Sequence, residues 1–348
     1  MTASLDLRPD ETAPGGGPGS DGWGWGRLRA LAKQDHLALL PVLIIALVVG
    51  SVLQPAFMTE TNMINVLRQS SELSVVVLAE ALILLTGRFD LSLESTVGLA
   101  PMVAAWLVCP VLIGGSGLDV NPWLALVAMF AVGAGIGAVN GTLIVALRLN
   151  AFMATLAMLI LLRGVTIGLS DGRTLYDLPE SFVYIGTSSW FGVPTSVWVA
   201  GTLFLVVGLF LRHHRIGRAI YAIGGNSEAA RAAGIRVDRI VFGVYVAGGI
   251  LAVLAGLMLA GRLASVTSSQ GQNMIFTVFA AAVIGRISLN GGRGSMLGAL
   301  LGVLLLGLVS NILTLSNIQP FWINAAFGAI ILLALVIARF TSGEKDQG

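Results

Sequence analysis

Residues 37–52 read LALLPVLIIALVVGSV, residues 74–85 read SVVVLAEALILL, and residues 301–309 read LGVLLLGLV. Across all three runs the single charged residue is Glu80. Crossing a bilayer takes about 20 mostly apolar residues per helix. Lipid accepts only helices or closed barrels, because an unpaired backbone N–H or C=O finds no partner there. These runs are continuous rather than alternating, which favours helices over a barrel. The same character fills the chain: 56% of residues are hydrophobic and 11% charged, and mean hydropathy is +0.88. A soluble domain carries about 25% charged residues, so this chain has too few to cover a water-facing surface. The expected fold is an all-α polytopic membrane protein.

About ten transmembrane helices are expected, near 37–56, 70–87, 95–112, 123–147, 151–170, 196–211, 241–260, 274–287, 295–313 and 321–339. The 274–287 run is short enough to be partly re-entrant. This gives a disordered N-terminal tail over 1–36, a transmembrane domain over 37–340 and a C-terminal tail over 341–348. The tail at 1–36 has no apolar core, so it reads as cytoplasmic rather than as a cleaved signal. Placing the N-terminus inside puts sixteen of the twenty Lys and Arg residues in the cytoplasm; the exceptions are Arg68, Arg163, Arg173 and Arg262. That asymmetry predicts both termini inside.

The net charge of +2 and pI near 9.0 do not point to nucleic acid, because the basic residues are spread between apolar runs. Cys109 lies in an apolar stretch and reads as a small buried hydrophobe. His36, His213 and His214 fall in basic cytoplasmic stretches and read as solvated flanks rather than metal ligands. No catalytic residue and no metal site is expected.

The inward loop Gly217–Ile235 encodes a short helix with explicit stops. Gly224 and Gly225 break the preceding structure, Asn226 or Ser227 suits an N-cap, and Glu228 complements the helix dipole. Ala229, Ala230 and Arg231 follow, and Gly234 supplies a left-handed C-terminal residue. About two turns cannot persist alone in water, so packing must hold them. The residues leave two sources of packing open: another protein, or the chain's own membrane domain.

This loop resembles the cytoplasmic loop of ribose/xylose-type ABC permeases. Four further motifs follow in the family's order: Thr86-Gly87-Arg88-Phe89-Asp90-Leu91-Ser92; Asn140-Gly141-Thr142-Leu143 with Phe152 to Leu156; Leu178 to Phe182; and Ser288 to Gly294. The resemblance covers about 300 residues of the 348. It implies that Gly224, Gly225, Asn226, Ser227, Glu228, Ala229, Ala230, Arg231 and Gly234 form the coupling element for ABC ATPase subunits. It further implies a second permease copy, as homodimer or heterodimer, an extracytoplasmic solute-binding protein and a location in the bacterial inner membrane. No Gly-x-x-x-x-Gly-Lys-Ser/Thr occurs, and the only lysines are Lys33 and Lys345, so ATP and Mg belong on the partner ATPase subunits. The implied cargo is a monosaccharide or small polyol.

The outward segment 171–195, with Tyr176, Asp177 and Glu180, is the expected docking surface for the binding protein; a lid over the pore is the other reading. Glu80, Asp90, Ser92, Asn140, Asn311 and Asn324 are candidates to line the translocation path, since polar groups in spans default to function. The asparagines could instead bond between helices. Glu80 could contact solute, be neutral, or pair with Arg163; Arg68 could pair with Glu72, and Arg88 with Glu94. Arg88, Glu94 and Arg286 stand where the family commonly has glycine. The alternatives are the same architecture carrying a nucleoside or branched-chain amino acid, a proton-coupled transporter using Glu80, and, more remotely, a membrane enzyme.

Overall fold

The computed structural model describes residues 39–329 and 332, most of them helical. In chain order the helices are α1 (Leu39–Leu53), α2 (Glu60–Leu85), α3 (Leu93–Val108), α4 (Pro122–Val145), α5 (Ala151–Ser170), α6 (Glu180–Thr187) and α7 (Thr195–His213). There follow α8 (Arg215–Gly225), α9 (Ser227–Ala232), α10 (Val237–Leu263), α11 (Met274–Ile284) and α12 (Met296–Leu315), then a helical stretch over 320–329, α13. Two short antiparallel pairs complete the described chain. β1 (Leu175–Tyr176) joins β4 (Ser265–Val266), and β2 (Ser189–Trp190) joins β3 (Val193–Pro194).

Five helices, α4, α5, α7, α10 and α12, are long and apolar enough to cross a membrane. α2 is not among them despite its length, because it carries Glu60, Arg68, Glu72 and Glu80. It is also the innermost helix, with nearly every residue from Ser70 to Leu85 buried. A helix wrapped by protein rather than lipid can keep ionisable groups, since neighbouring helices supply partners. The expected start near residue 70 is corrected to Glu60 for that reason: the first turns of α2 are polar but still helical.

The short 274–287 run is half a span. α11 has 11 residues, about 16 Å at 1.5 Å per residue, against a hydrocarbon core of about 30 Å. The non-helical chain before it is held by side chains. Gln270 Nε2 donates to Val97 O at 3.0 Å and Gly256 O at 3.1 Å, and Arg163 Nη1 donates to Gln270 O at 3.0 Å. Irregular backbone at this depth survives only when protein satisfies it. The expected 321–339 helix is described only as far as 329 and at 332, and both tails lie outside the described residues.

Glycine faces let the long helices meet backbone to backbone. A Cβ on Gly249 of α10 would lie 2.2 Å from Gly133 O of α4. Close approach of this kind replaces the hydrophobic drive that lipid removes.

Candidate functional site

The Gly217–Ile235 loop folds as α8 and α9 around a single cap. Asn226 Oδ1 accepts hydrogen bonds from Glu228 N at 3.0 Å and Ala229 N at 2.9 Å. α9 ends where Gly234 takes φ +81°, and Ile235 N donates to Ala230 O at 3.0 Å. Ala230 is the one buried residue of α9. Gly225, Asn226, Glu228, Ala229, Arg231 and Gly234 are exposed, and Ser227 is half-buried. Arg231 forms a two-pronged ion pair with Asp238 at the start of α10, its Nη1 lying 2.8 Å from Oδ2. The hydrogen-bonded carboxylate raises the Arg231 guanidinium above its ordinary value.

The inner side of the segment rests on two other motifs. A Cβ on Gly224 would lie 2.0 Å from Leu85 O and 2.3 Å from Gly292 N, so only a glycine fits. Gly292 N in turn donates to Leu85 O at 3.1 Å, and a Cβ on Gly291 would come within 2.6 Å of Gly87 Cα. Tyr221 adds a hydrogen bond from its hydroxyl to Gly294 O at 3.0 Å, and burial pushes its phenol up. The α8–α9 loop, the end of α2 and the Ser288–Gly294 turn therefore meet at one backbone junction. The three motifs are far apart in the sequence, and their contact has no local signal. A polar cavity of about 1070 Å³ opens beside the junction and includes Arg88, Arg148, Glu228, Arg231 and Asp238.

Further along α2, four of the candidate path residues form one cluster. Asp90 Oδ1 accepts from Ser92 Oγ at 2.6 Å and Ser92 N at 2.9 Å. Asn140 Nδ2 donates to Ser92 Oγ at 2.7 Å and Asp90 Oδ2 at 3.2 Å. Asp90 N lies 3.4 Å from Glu80 Oε1, while Glu80 Oε2 and Asn140 Oδ1 have no hydrogen-bond partner among the described residues. Glu80, Asp90, Ser92 and Asn140 are all at most 1% exposed, so in this conformation they face one another rather than open space.

Asn311 and Asn324 lie elsewhere. Both line a cavity of about 350 Å³ between α2, α10, α12 and α13, together with Gln69, Glu72, Arg262 and Gln272. Asn311 also exchanges two 2.8 Å hydrogen bonds with Asn62. The density of amide and charged groups here went unnoticed in the sequence, because its members come from distant positions.

Three expected ion pairs are replaced. Glu72 pairs with Arg262, Nε to Oε1 at 2.7 Å, instead of Arg68; an Arg placed four residues before a Glu is the weaker helical orientation. Arg163 reaches Glu94 at 3.3 Å rather than Glu80. Arg88 donates to Thr86 O at 3.1 Å and does not meet Glu94. Glu94 faces the opposite way, and its Oε2 accepts from Ile275 N at 3.2 Å, at the start of α11 where the helix dipole favours an anion.

On the other side, Tyr176 of β1 is paired with Ser265, Asp177 takes φ +61°, and Glu180 opens α6. All three are exposed. Tyr184, Trp190 and Phe191 add an exposed aromatic patch. α6 packs on the end of α10 so closely that a Cβ on Gly186 would lie 2.1 Å from Arg262 N. The surface built around α6 thus touches the residue that pairs with Glu72.

Comparison with known proteins follows this geometry. The family model described as "Branched-chain amino acid transport system / permease component" matches residues 62–337. The chain is similar to the ribose import permease protein RbsC of Escherichia coli K12, 38% identical over 88% of this chain and 94% of that protein. It is also similar to the L-arabinose transport system permease protein AraH of the same strain, at 32% over 89% and 92%. The autoinducer 2 import system permease protein LsrC of Klebsiella pneumoniae is 32% identical over 89% and 88%. The chain is an integral membrane protein and belongs to the family of branched-chain amino acid transport system permease components.

Proposed function

We propose that this chain is the membrane-spanning subunit of an ABC importer for a monosaccharide or small polyol. The observation that carries the reading is the coupling segment: a short capped helix, α9, largely exposed, joined to the end of α8, which is wedged by backbone contact at Gly224 against α2. Such an element passes a push from a partner directly into the central helix. ATP and Mg act on separate ATPase subunits, which move the segment and so tilt the attached spans between outward-open and inward-open states. The chain works with a second copy of itself, receives solute from an extracytoplasmic binding protein at Tyr176, Asp177 and Glu180, and has ten spans with both termini in the cytoplasm of a bacterial inner membrane. Relatives named for ribose and L-arabinose support a sugar over an amino acid.

The cavity holding Asn311 and Asn324 is the best-suited contact for a polyol. Its amides and the Glu72–Arg262 pair offer both donors and acceptors, and its volume falls near the lower bound of about 300 Å³ typical of ligand sites. The Glu80–Asp90–Ser92–Asn140 cluster joins the path when α2 moves.

The test is uptake of labelled ribose, L-arabinose and leucine by cells expressing the chain with its neighbouring ATPase and binding-protein genes. Sugar uptake that fails with Asn324→Ala, while the protein inserts normally, supports the reading. Uptake of leucine alone overturns the cargo class, and sugar uptake without any ATPase overturns the importer. Unchanged uptake and selectivity in Glu80→Gln would remove Glu80 from the path.

A further inference from the structure

A second cleft borders the coupling segment at Gly234 and extends away from it. It lies between α7, α8 and α10, has a volume of about 900 Å³, and is lined mainly by apolar side chains, from Ile216 and Ile240 to Ile250 and Leu251. Arg215, Arg236 and Arg239 border it and are exposed. Their guanidinium groups make no ion pair or hydrogen bond among the described residues. From Arg239 to Ile250 along α10 is about 16 Å at 1.5 Å per residue, close to half of a hydrocarbon core of about 30 Å. The cleft therefore has the depth of one leaflet, with cations at one end only.

Gly243 is the second observation. It lines the cleft in mid-helix, and a Cβ there would meet nothing within 4 Å. Unlike Gly249, it lets no neighbouring helix approach. A glycine in a helix interior is less stable than alanine there, and no contact within the chain offsets this. What it does is keep the cleft open.

We propose that this cleft holds an acyl chain of an anionic phospholipid, with the lipid phosphate against Arg215, Arg236 and Arg239. An apolar trough ending in unpaired arginines complements a molecule that is apolar along its length and anionic at its head. A soluble anion would use only the arginines and leave the trough unfilled. A second copy of the chain would have to bring carboxylates to the same place.

The full chain is reconstituted in phosphatidylcholine vesicles with trace spin-labelled phosphatidylglycerol or spin-labelled phosphatidylcholine, and the motionally restricted fraction is read. The wild-type chain should restrict phosphatidylglycerol about tenfold more strongly, given the attraction of a few basic residues for anionic lipid. The triple variant R215Q/R236Q/R239Q should lose that preference, while R212Q, outside the cleft, should keep it. Gly243→Leu should reduce restriction of phosphatidylglycerol with a melting temperature no lower than the parent's, because its side chain enters open space and leucine favours the helix. Equal restriction of both lipids by the wild-type chain, or a preference kept in the triple variant, overturns the proposal. So does full competition by inorganic phosphate, or a disulfide linking two copies through Gly243→Cys.

Discussion

Gly224 and Gly225 are adjacent, yet they sit on opposite sides of the segment proposed to couple to the ATPase. A Cβ on Gly224 would lie 2.0 Å from Leu85 O; one on Gly225 would meet nothing within 4 Å. The inner side is a joint made of backbone, closed to any side chain. The outer side is open and decorated by Glu228 and the capping Asn226. A load applied to the outer face therefore passes through a stiff contact into α2, the helix that carries Glu72 and Glu80.

Breaking the joint should give the largest effect. Gly224→Val pushes a branched side chain into two immobile backbone segments, and overpacking typically costs 1–3 kcal/mol, with about 3 kcal/mol expected where backbone cannot yield. The variant should melt well below the parent chain in detergent and import nothing. Gly225→Leu should melt within about 0.5 kcal/mol of the parent, as open-surface changes do, while ATP hydrolysis no longer drives uptake. Equal melting of the two variants would erase the distinction between the faces.

A smaller effect should come from the cap. Asn226→Ala removes the acceptor for two backbone N–H groups of α9 and should cost about 1 kcal/mol. Hydrogen exchange should locate the loss: the amides of Glu228 and Ala229 should exchange faster, and those of α10 should not. Faster exchange throughout α10 would mean that α9 is not a separable unit.

The cap and the stop at Gly234 were legible because capping is written in adjacent residues. The joint was not legible. Gly224, Gly291 and Gly292 each look like ordinary breaker or turn glycines, and the contact that demands a missing Cβ appears only when three distant segments converge. The same limit governed the charges. Glu72 was read with its helical neighbour Arg68, but its partner Arg262 is 190 positions away. Apolar runs located α5 to the residue, since Asn150 and Asp171 bracket the run as its two caps. The runs misjudged the start of α2, because a helix enclosed by protein can keep polar residues in its first turns. Asn311 and Asn324 stand out as polar residues in spans, but the groups around them come from several helices and the loop before α11.

The smallest effect on stability, and the most informative about the outer face, should come from Arg231. Its pair with Asp238 is exposed on both sides, and exposed pairs add little to folding. Arg231→Gln should leave the melting temperature unchanged. It should still lower coupled uptake about twofold, because the pair fixes the angle of α9 on α10 and a tilted docking helix transmits less of the push. The swap Arg231→Asp with Asp238→Arg tells positioning from contact. If the pair only sets the angle, the reversed pair restores uptake. If Arg231 itself meets an acidic group on the ATPase, the swap puts a carboxylate against a carboxylate, and uptake falls below that of the single variant. Recovery would leave Gly225 and Glu228 as the docking surface, and further loss would extend that surface to Arg231.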